Sequence, residues 1–173
     1  NGRTVTATTI TNNGTIQFAG GETLTVTTKN NGTGTVEYTA AGAITATWGT
    51  TYNNLMIDSG TLTVTGYTIG GTLTNGGAIT LGGPLTVPGL ITNTGSIAVG
   101  ANTLTATAAG IDSSDTGSSI TIGTGGSIDA IGTIYKLTPD ALAAITINGE
   151  TTGVTILQAI TGAPTITANG KVT

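Results

Sequence analysis

The chain of 173 residues contains no cysteine and no histidine. The missing cysteines exclude disulfides and thiolate metal sites, and the missing histidines remove the usual general base and a common metal ligand. Charged residues make up 7% and aromatic residues 3% of the chain, and the net charge is −4. Because nothing concentrates Lys or Arg, we expect no nucleic-acid surface. No apolar run approaches the roughly eighteen residues of a membrane-spanning helix, so we expect no membrane insertion.

Threonine makes up about a quarter of the residues, and hydrophobic residues make up 37%. Apolar residues alternate with threonine in short runs that Gly, Asn or Pro separate. Such alternation indicates half-buried strands with threonine on the outer face. The composition therefore predicts packed strands, in spite of the low charge and the few aromatic residues.

Short phrases recur at intervals of about eighteen or about twenty positions, which indicates a repeated structural unit. Each unit holds about three short strands, as in one turn of a triangular β-solenoid whose sides pair in parallel with the coil above. A β-sandwich, the main competitor, gives no reason for residue types to recur at a fixed interval. The recurrences are NNGT 12–15 with 30–33, TIQF 15–18 with TVEY 35–38, TLTVTT 23–28 with AITATW 43–48, TLTN 72–75 with LITN 90–93, and AITL 78–81 with SIAV 96–99.

We therefore predict an all-β fold: a parallel β-solenoid, or β-helix, of about seven coils of roughly 18–20 residues within residues 1–133. Asn13, Asn31, Asn75 and Asn93 recur at corners, where stacked asparagines can bond to each other along the axis. The inner ladders are predicted as Leu24, Val26, Ile44, Ala46, Leu62, Val64, Leu85, Val87, Leu104 and Ala106 on one side, Ile79, Leu81, Ile97 and Val99 on the second, and Leu73 and Ile91 on the third.

Residues 134–173 diverge from the repeat. The stretch 137–144 carries a helix-start signal, with Thr138 as cap, Pro139 at the first helical position and Asp140 in the first turn. Strands are expected at 145–149, 154–160 and 165–173. This segment either caps the solenoid or couples one subunit to the next, and both alternatives stay open at this point.

The two ends of a solenoid carry unpaired backbone groups that invite another chain. We therefore expect a homo-oligomer that grows head to tail, with the joint formed by the N-terminal strand at 4–11 and by the segments after Thr133. The predicted interface residues are Thr4, Val5, Thr6, Ile10, Val154, Ile156, Leu157 and Ile166.

Two groups of side chains are candidates for ligand binding. Asp112 and Asp115 are the close acidic pair, and their loop could offer oxygen ligands to calcium, although a solvated corner loop is the favoured interpretation. Trp48, Tyr52 and Tyr67 could stack on a glycan if exposed, although core filling or a subunit contact is favoured. We expect no cofactor and no enzymatic activity, because neither group forms a catalytic constellation. NGT sequons begin at Asn13 and Asn31, and their use depends on the organism.

Residues 90–110 (LITNTGSIAVGANTLTATAAG) and 51–66 (TYNNLMIDSGTLTVTG) resemble the repeats of filamentous-haemagglutinin-type bacterial surface adhesins. The resemblance extends over about residues 12–130 and rests on loosely spaced Leu, Asn, Gly and Ile. It implies a right-handed parallel β-solenoid at a cell surface. The export route and the receptors of those adhesins are not carried over to this protein.

We expect a structural subunit of an extracellular filament. The alternatives are an adhesin fragment that binds a host surface or a surface polysaccharide, and an ice-binding protein that uses outward threonines. For the last, Thr25, Thr45, Thr63, Thr86 and Thr105 form the candidate row, although their intervals are irregular. The chain begins with Asn1 in place of Met, and we expect a processed product that is secreted, extracellular or bound to the cell surface.

Overall fold

In the computed structural model, short parallel strands wind into a solenoid. The structure describes residues 3–106 and 109–130, and beyond them the backbone of five strands within 132–168. No helix occurs in these described parts. The strands are β1 (Thr4–Thr11), β2 (Thr15–Phe18), β3 (Thr23–Asn30), β4 (Thr35–Tyr38), β5 (Thr51–Tyr52), β6 (Asn54–Ile57), β7 (Thr61–Val64), β8 (Thr68–Ile69), β9 (Leu73–Asn75), β10 (Ala78–Leu81), β11 (Leu85–Val87), β12 (Ile91–Asn93), β13 (Ser96–Gly100), β14 (Thr103–Ala106), β15 (Ile111–Ser113), β16 (Ser119–Ile122), β17 (Ser127–Ala130), β18 (Gly132–Ile134), β19 (Leu137–Pro139), β20 (Ala144–Ile147), β21 (Val154–Ile156) and β22 (Thr165–Ala168).

The strands form three long parallel sheets, which are the three sides of the solenoid. Sheet 1 has the order β2-β4-β6-β9-β12-β15-β18-β21, sheet 2 the order β7-β10-β13-β16-β19, and sheet 3 the order β11-β14-β17-β20-β22. Two separate pairs, β1 with β3 and β5 with β8, complete the N-terminal coils. The solenoid has about six turns, against about seven expected. The predicted parallel β-solenoid is confirmed.

The residue pairing between neighbouring strands of sheet 1 matches the intervals at which short phrases recur in the sequence. Leu73 pairs with Ile91, and Asn75 pairs with Asn93, both at the shorter of the two repeat intervals. Thr15 pairs with Thr35 at the longer interval, as predicted. Towards the C-terminus the interval widens beyond both, since Gly132 pairs with Val154. In sheets 2 and 3 the interval instead narrows there, since Ile120 pairs with Leu137 and Ser127 with Ala144. These unequal intervals explain why residues 134–173 diverge from the repeat.

The three predicted inner ladders are only partly correct. Leu85 does pair with Leu104, and Ile79 with Ile97. However, Leu62 stacks on Ile79 in sheet 2, and not on Leu85 of sheet 3. The strand at 61–64 resembles several others in sequence, so its side could not be identified from residue types alone.

The predicted pairing of residues 23–28 with 43–48 is wrong. Strand β3 pairs instead with β1, in a register that joins Leu24 to Val5. Residues 43–48 form no strand, and their one bridge joins Ala43 to Thr61. The second side of this coil is therefore irregular, which leaves the core there less well covered.

The interior is one hydrophobic cluster. All the side chains predicted to point inward are buried, except for four in the N-terminal coils that are half-buried: Leu24, Val26, Ile44 and Ala46. Alternate residues on every described side face outward, as in the exposed Thr61 and Thr63 that flank the buried Leu62. The inside and outside assignment of the strands is thus confirmed.

The helix predicted to start at Thr138 and Pro139 is wrong. Leu137–Pro139 is strand β19, which continues sheet 2 with Ile120 opposite Leu137. Parallel pairing along an existing sheet outweighs a capping signal that could support only about two helical turns. Asp140 lies outside the described residues.

Strands beyond residue 134 extend the solenoid sheets. Strand β20 pairs with β17, β21 with β18 and β22 with β20, all in parallel. Strands therefore occupy the described parts of the expected ranges 145–149, 154–160 and 165–173, and the rest of these ranges lies outside the described residues. Within the described part of the chain, no helix is long and apolar enough to cross a membrane.

Candidate functional site

The N-terminal end of the solenoid is open. Strand β1 pairs only with β3, and β2 only with β4, among the described strands. The outer edges of β1 and β2 therefore carry backbone N–H and C=O groups without strand partners. We call the surface formed by β1, β2 and the apolar side chains beside them the N-terminal end.

A cavity of about 630 Å³ opens at this end. Apolar side chains from β1, β2 and β3 line it together with the buried Phe18 and Trp48, and the charged Arg3 and Glu22 also border it. Val5 is 47% exposed and is the exposed large hydrophobic residue of the described residues. The apolar side chains at the mouth are Val5, Ile10, Ile16 and Leu24.

The predicted interface residues lie at both ends. Thr4, Val5 and Thr6 of β1 are exposed, and Ile10 is half-buried. At the other end, Val154 and Ile156 belong to β21, the last described strand of sheet 1. Ile166 belongs to β22, the last described strand of sheet 3, whereas Leu157 lies outside the described residues.

The aromatic residues near the N-terminal end are mostly core. Trp48 and Tyr52 are each 2% exposed, and Tyr67 is half-buried. The rings of Tyr52 and Tyr67 lie 5.6 Å apart, and those of Phe18 and Tyr38 lie 5.4 Å apart. The favoured prediction of core filling is confirmed for Trp48 and Tyr52. Their proposed stacking on a glycan does not fit this burial, because a sugar ring needs an open aromatic face.

Hydrogen bonds fix this aromatic cluster. The Trp48 backbone N–H donates to the Tyr38 hydroxyl at 3.2 Å, and the two hydroxyls of Tyr38 and Tyr52 lie 3.2 Å apart. The Tyr52 hydroxyl donates to the Gly49 carbonyl oxygen, so Tyr38 is the donor within the pair. The Trp48 indole N–H donates to Asn31 Oδ1 at 2.7 Å. Burial raises the pKa of both tyrosines, and the neighbouring Tyr38 adds to the rise at Tyr52.

The acidic loop does not form a multi-carboxylate centre. Asp112 and Asp115 are exposed and line a shallow cavity of about 220 Å³. Asp112 Oδ1 accepts the Ser114 hydroxyl at 2.7 Å, and Asp115 Oδ1 accepts the Gly117 N–H at 2.8 Å. Among the described residues no group of three metal-ligating side chains occurs. Both carboxylates thus face solvent and bond within their own loop.

A buried polar ladder runs inside the solenoid. Asn75 and Asn93 are buried, and Asn75 Nδ2 donates to Asn93 Oδ1 at 2.7 Å. Asn93 Nδ2 donates in turn to Ser113 Oγ at 2.9 Å, and Ser113 donates to Ser118 Oγ at 3.0 Å. The predicted bonding of stacked asparagines is confirmed for this pair. In the N-terminal coils Asn12 is the buried residue and Asn13 is exposed.

The threonine row predicted for ice binding is wrong. Thr25 lies in β3, Thr63 in sheet 2, and Thr86 and Thr105 in sheet 3, while Thr45 lies in no strand. Sheet 2 instead has two outward rows in register, composed of small residues. The rows are Thr63, Thr80, Ala98 and Thr121, and Thr61, Ala78, Ser96 and Ser119.

The outward row of sheet 1 differs sharply in character. Besides Thr74 and Thr92 it contains larger or charged side chains: Gln17, Glu37, Met56 and Asp112. This contrast was not predictable, because residue types alone do not identify the side to which each strand belongs.

Comparison with known proteins gave no match to a protein-family model, a curated protein or a solved structure.

Proposed function

We propose that the chain is a non-catalytic structural subunit of an extracellular filament, in which the end of one solenoid stacks on the end of the next. The observation that carries the proposal is the N-terminal end, where the free edge of β1 runs beside the exposed Val5 and an open cavity that apolar side chains line together with Arg3 and Glu22. The chain has few charged groups, and no three His, Cys, Asp or Glu side chains lie together as a metal site among the described residues.

The edge of β1 is unusually suited to pairing. It is eight residues long, at least twice the length of most strands in this solenoid. Residues 4–11 contain neither a charged residue nor proline, which are common protections of an edge strand. A strand added to this edge would form main-chain hydrogen bonds along its whole length.

The apolar side chains favour the same contact. Interior residues such as Leu73 and Ile91, whose strands are paired on both sides, are fully buried. Val5 has a coil on one side only, at Leu24, and remains exposed. Covering a side chain of this size stabilises a contact by about 1.5–3 kcal/mol. A coil of a neighbouring subunit would therefore form hydrogen bonds to the unpaired backbone groups of β1 and would also cover the cavity.

The opposite end offers matching edges. Strand β21 pairs only with β18, and β22 only with β20, among the described strands. The free edges of these two strands have the parallel geometry that β1 and β2 require. We propose that the segments after Thr133 couple subunits in this way, which leaves capping as the alternative.

Sedimentation of the intact protein as a function of concentration tests this proposal. We expect reversible association that Val5→Lys abolishes, because it places a charge on the apolar end. Thr63→Lys is the matched control, since it adds the same charge to an exposed position on a side of the solenoid. Deletion of residues 1–11 or 154–173 should also leave monomers with most of the strand content. Equal association of both lysine variants would contradict the proposal.

Ice binding is a second candidate function, because the small outward residues of sheet 2 lie in register over four consecutive strands. Strand spacing of about 4.8 Å makes such a face regular along the axis. No large or charged side chain interrupts the two rows between Thr61 and Thr121. A flat, regular array of hydroxyl and methyl groups could order water.

Thermal hysteresis tests this second candidate. We expect a gap between freezing and melting that Thr80→Lys, in the middle of sheet 2, removes. Thr86→Lys is the control, because Thr86 is exposed on sheet 3. Absence of hysteresis in the unaltered protein would exclude ice binding. The adhesin alternative receives no support from Trp48 and Tyr52, which are buried.

A further inference from the structure

Three Asn-Gly dipeptides lie among the described residues, in three different surroundings: Asn13-Gly14, Asn31-Gly32 and Asn75-Gly76. In such a dipeptide the glycine nitrogen can attack the asparagine Cγ, because glycine has no Cβ to obstruct the approach and its backbone is adaptable. The reaction needs a mobile asparagine amide and an available glycine N–H. The structure therefore allows the three sites to be ranked.

Asn75 meets neither requirement. Its side chain is 0% exposed, and its amide donates to Asn93 Oδ1 at 2.7 Å and to the Ser96 carbonyl at 3.0 Å. The Gly76 N–H donates to the Ile57 carbonyl at 2.6 Å. Attack of the Gly76 nitrogen on Asn75 would require several of these bonds to break.

Asn31 is intermediate in how strongly its amide and the following glycine N–H are held. Its side chain is half-buried, and Oδ1 accepts the indole N–H of the buried Trp48 at 2.7 Å. This bond holds the amide in one orientation. The Gly32 N–H has only a long contact of 3.4 Å, to Asn30 Oδ1.

Asn13 is the most exposed of the three and the least held by hydrogen bonds, although its Oδ1 lies against Gly32 of the next coil. It is exposed, and its side chain makes no hydrogen bond within the described part of the chain. The Gly14 N–H donates to Asn12 Oδ1 at 3.2 Å, the long end of the usual range. Space around Gly14 is open, since a Cβ added there would meet no atom within 4 Å.

We propose that Asn13 is a site of spontaneous deamidation and that Asn75 is protected from it. The Gly14 nitrogen forms a bond to Asn13 Cγ and loses its proton. The bond between Cγ and Nδ2 then breaks, ammonia is released, and a succinimide ring remains. Water then adds across one imide C–N bond and yields aspartate or isoaspartate. The new carboxylate takes the formal net charge from −4 to −5. Within the proposed filament, the charge would lie at the corner that joins β1 to β2.

Time-resolved peptide mapping by mass spectrometry tests the proposal. Dilute folded protein, made in a host without N-glycosylation, is incubated at mildly alkaline pH with and without urea. We expect Asn13 to convert at least about tenfold faster than Asn75 in the folded protein, because Asn75 must first open locally. Asn31 should be intermediate. In urea the three rates should converge, since the dipeptide is the same.

Gly14→Ala provides the matched variant. The space around Gly14 is open and its φ is not positive, so the fold should be retained, as circular dichroism can check. The added Cβ should slow conversion at Asn13 and leave Asn31 and Asn75 unchanged. Equal rates at Asn13 and Asn75 in folded protein, or an Asn13 that converts only in urea, would overturn the proposal. These outcomes are independent of filament formation, because conversion is measured on the individual polypeptide.

Discussion

Asn75 Nδ2 donates to Asn93 Oδ1 across one turn of the solenoid, at 2.7 Å and with both side chains buried. Each amide also donates to the backbone carbonyl at the start of the sheet 2 strand in the next coil: Asn75 to Ser96 and Asn93 to Ser119. The pair therefore links two coils through side chains in addition to the backbone ladder. Asn75 Oδ1 has no partner among the described atoms, because the position one coil below is Ile57. The polar ladder thus begins at Asn75.

Asn93→Leu should destabilise the fold by roughly 1–3 kcal/mol, because it removes the acceptor of Asn75 and the donor to Ser113 while both remain buried. Urea denaturation followed by circular dichroism measures the change. Thr92→Ser, at the adjacent outward position, is the control and should change stability by less than about 0.5 kcal/mol. Similar losses for both variants would mean that the ladder contributes little.

Leu104→Ala should cost about 2–5 kcal/mol, since Leu104 is fully buried between coils. Val64→Asp and Leu104→Asp should prevent folding, because an unpaired carboxylate in the core costs several kcal/mol. Thr63→Ser and Thr105→Ser on the outer faces should each change stability by about half a kcal/mol. Equal tolerance at inward and outward positions, measured by denaturation, would contradict the assignment of faces.

Alkaline pH should unfold the protein through its buried tyrosines. Burial raises the pKa of Tyr38, Tyr52 and Tyr67 in the folded state above the unfolded value of about 10. The unfolded protein therefore loses these protons first, and stability should fall as the pH rises above about 10. A titration that follows phenolate absorbance and circular dichroism together should show delayed ionisation coupled to unfolding. Full ionisation near pH 10 with the strands intact would exclude burial of these hydroxyls.

Fluorescence of Trp48, the single tryptophan, reports directly on the aromatic cluster. Because the indole is buried and its N–H is bonded to Asn31, we expect blue-shifted emission and weak quenching by acrylamide. Denaturation in urea should shift the emission to the red and make it quenchable. Soluble glycans should leave the native spectrum unchanged. Strong quenching of the folded protein would show that the ring is accessible after all.

The parallel solenoid and its interior were predictable from the sequence, because alternation identifies faces and recurrence identifies coils. The recurrence of Leu73 and Asn75 as Ile91 and Asn93 corresponds to true register partners. However, the sequence did not reveal to which side of the solenoid the strand that contains Leu62 belongs. Its partner Ile79 lies closer along the chain than either interval that the repeats suggested.

Features that depend on tertiary contacts were the hardest to predict. Trp48 follows an irregular stretch, and its hydrogen bonds go to Tyr38, ten residues earlier, and to Asn31, seventeen residues earlier. Pro139 lies in a local helix signal, but the neighbouring strand β16 makes a strand the better solution there. The open cavity beside Val5 could be anticipated only as a free edge, because no residue pattern predicts an unfilled volume.

X-ray fibre diffraction from concentrated, aligned intact protein tests the head-to-tail filament most directly. Stacked solenoids keep every strand perpendicular to the filament axis, so we predict a sharp meridional reflection at about 4.8 Å from continuous parallel ladders. Electron micrographs of the same sample should show unbranched filaments one solenoid wide, and Val5→Lys should remove both signals while Thr63→Lys retains them. A sample that stays monomeric, or filaments whose strands run along the axis, would contradict the account.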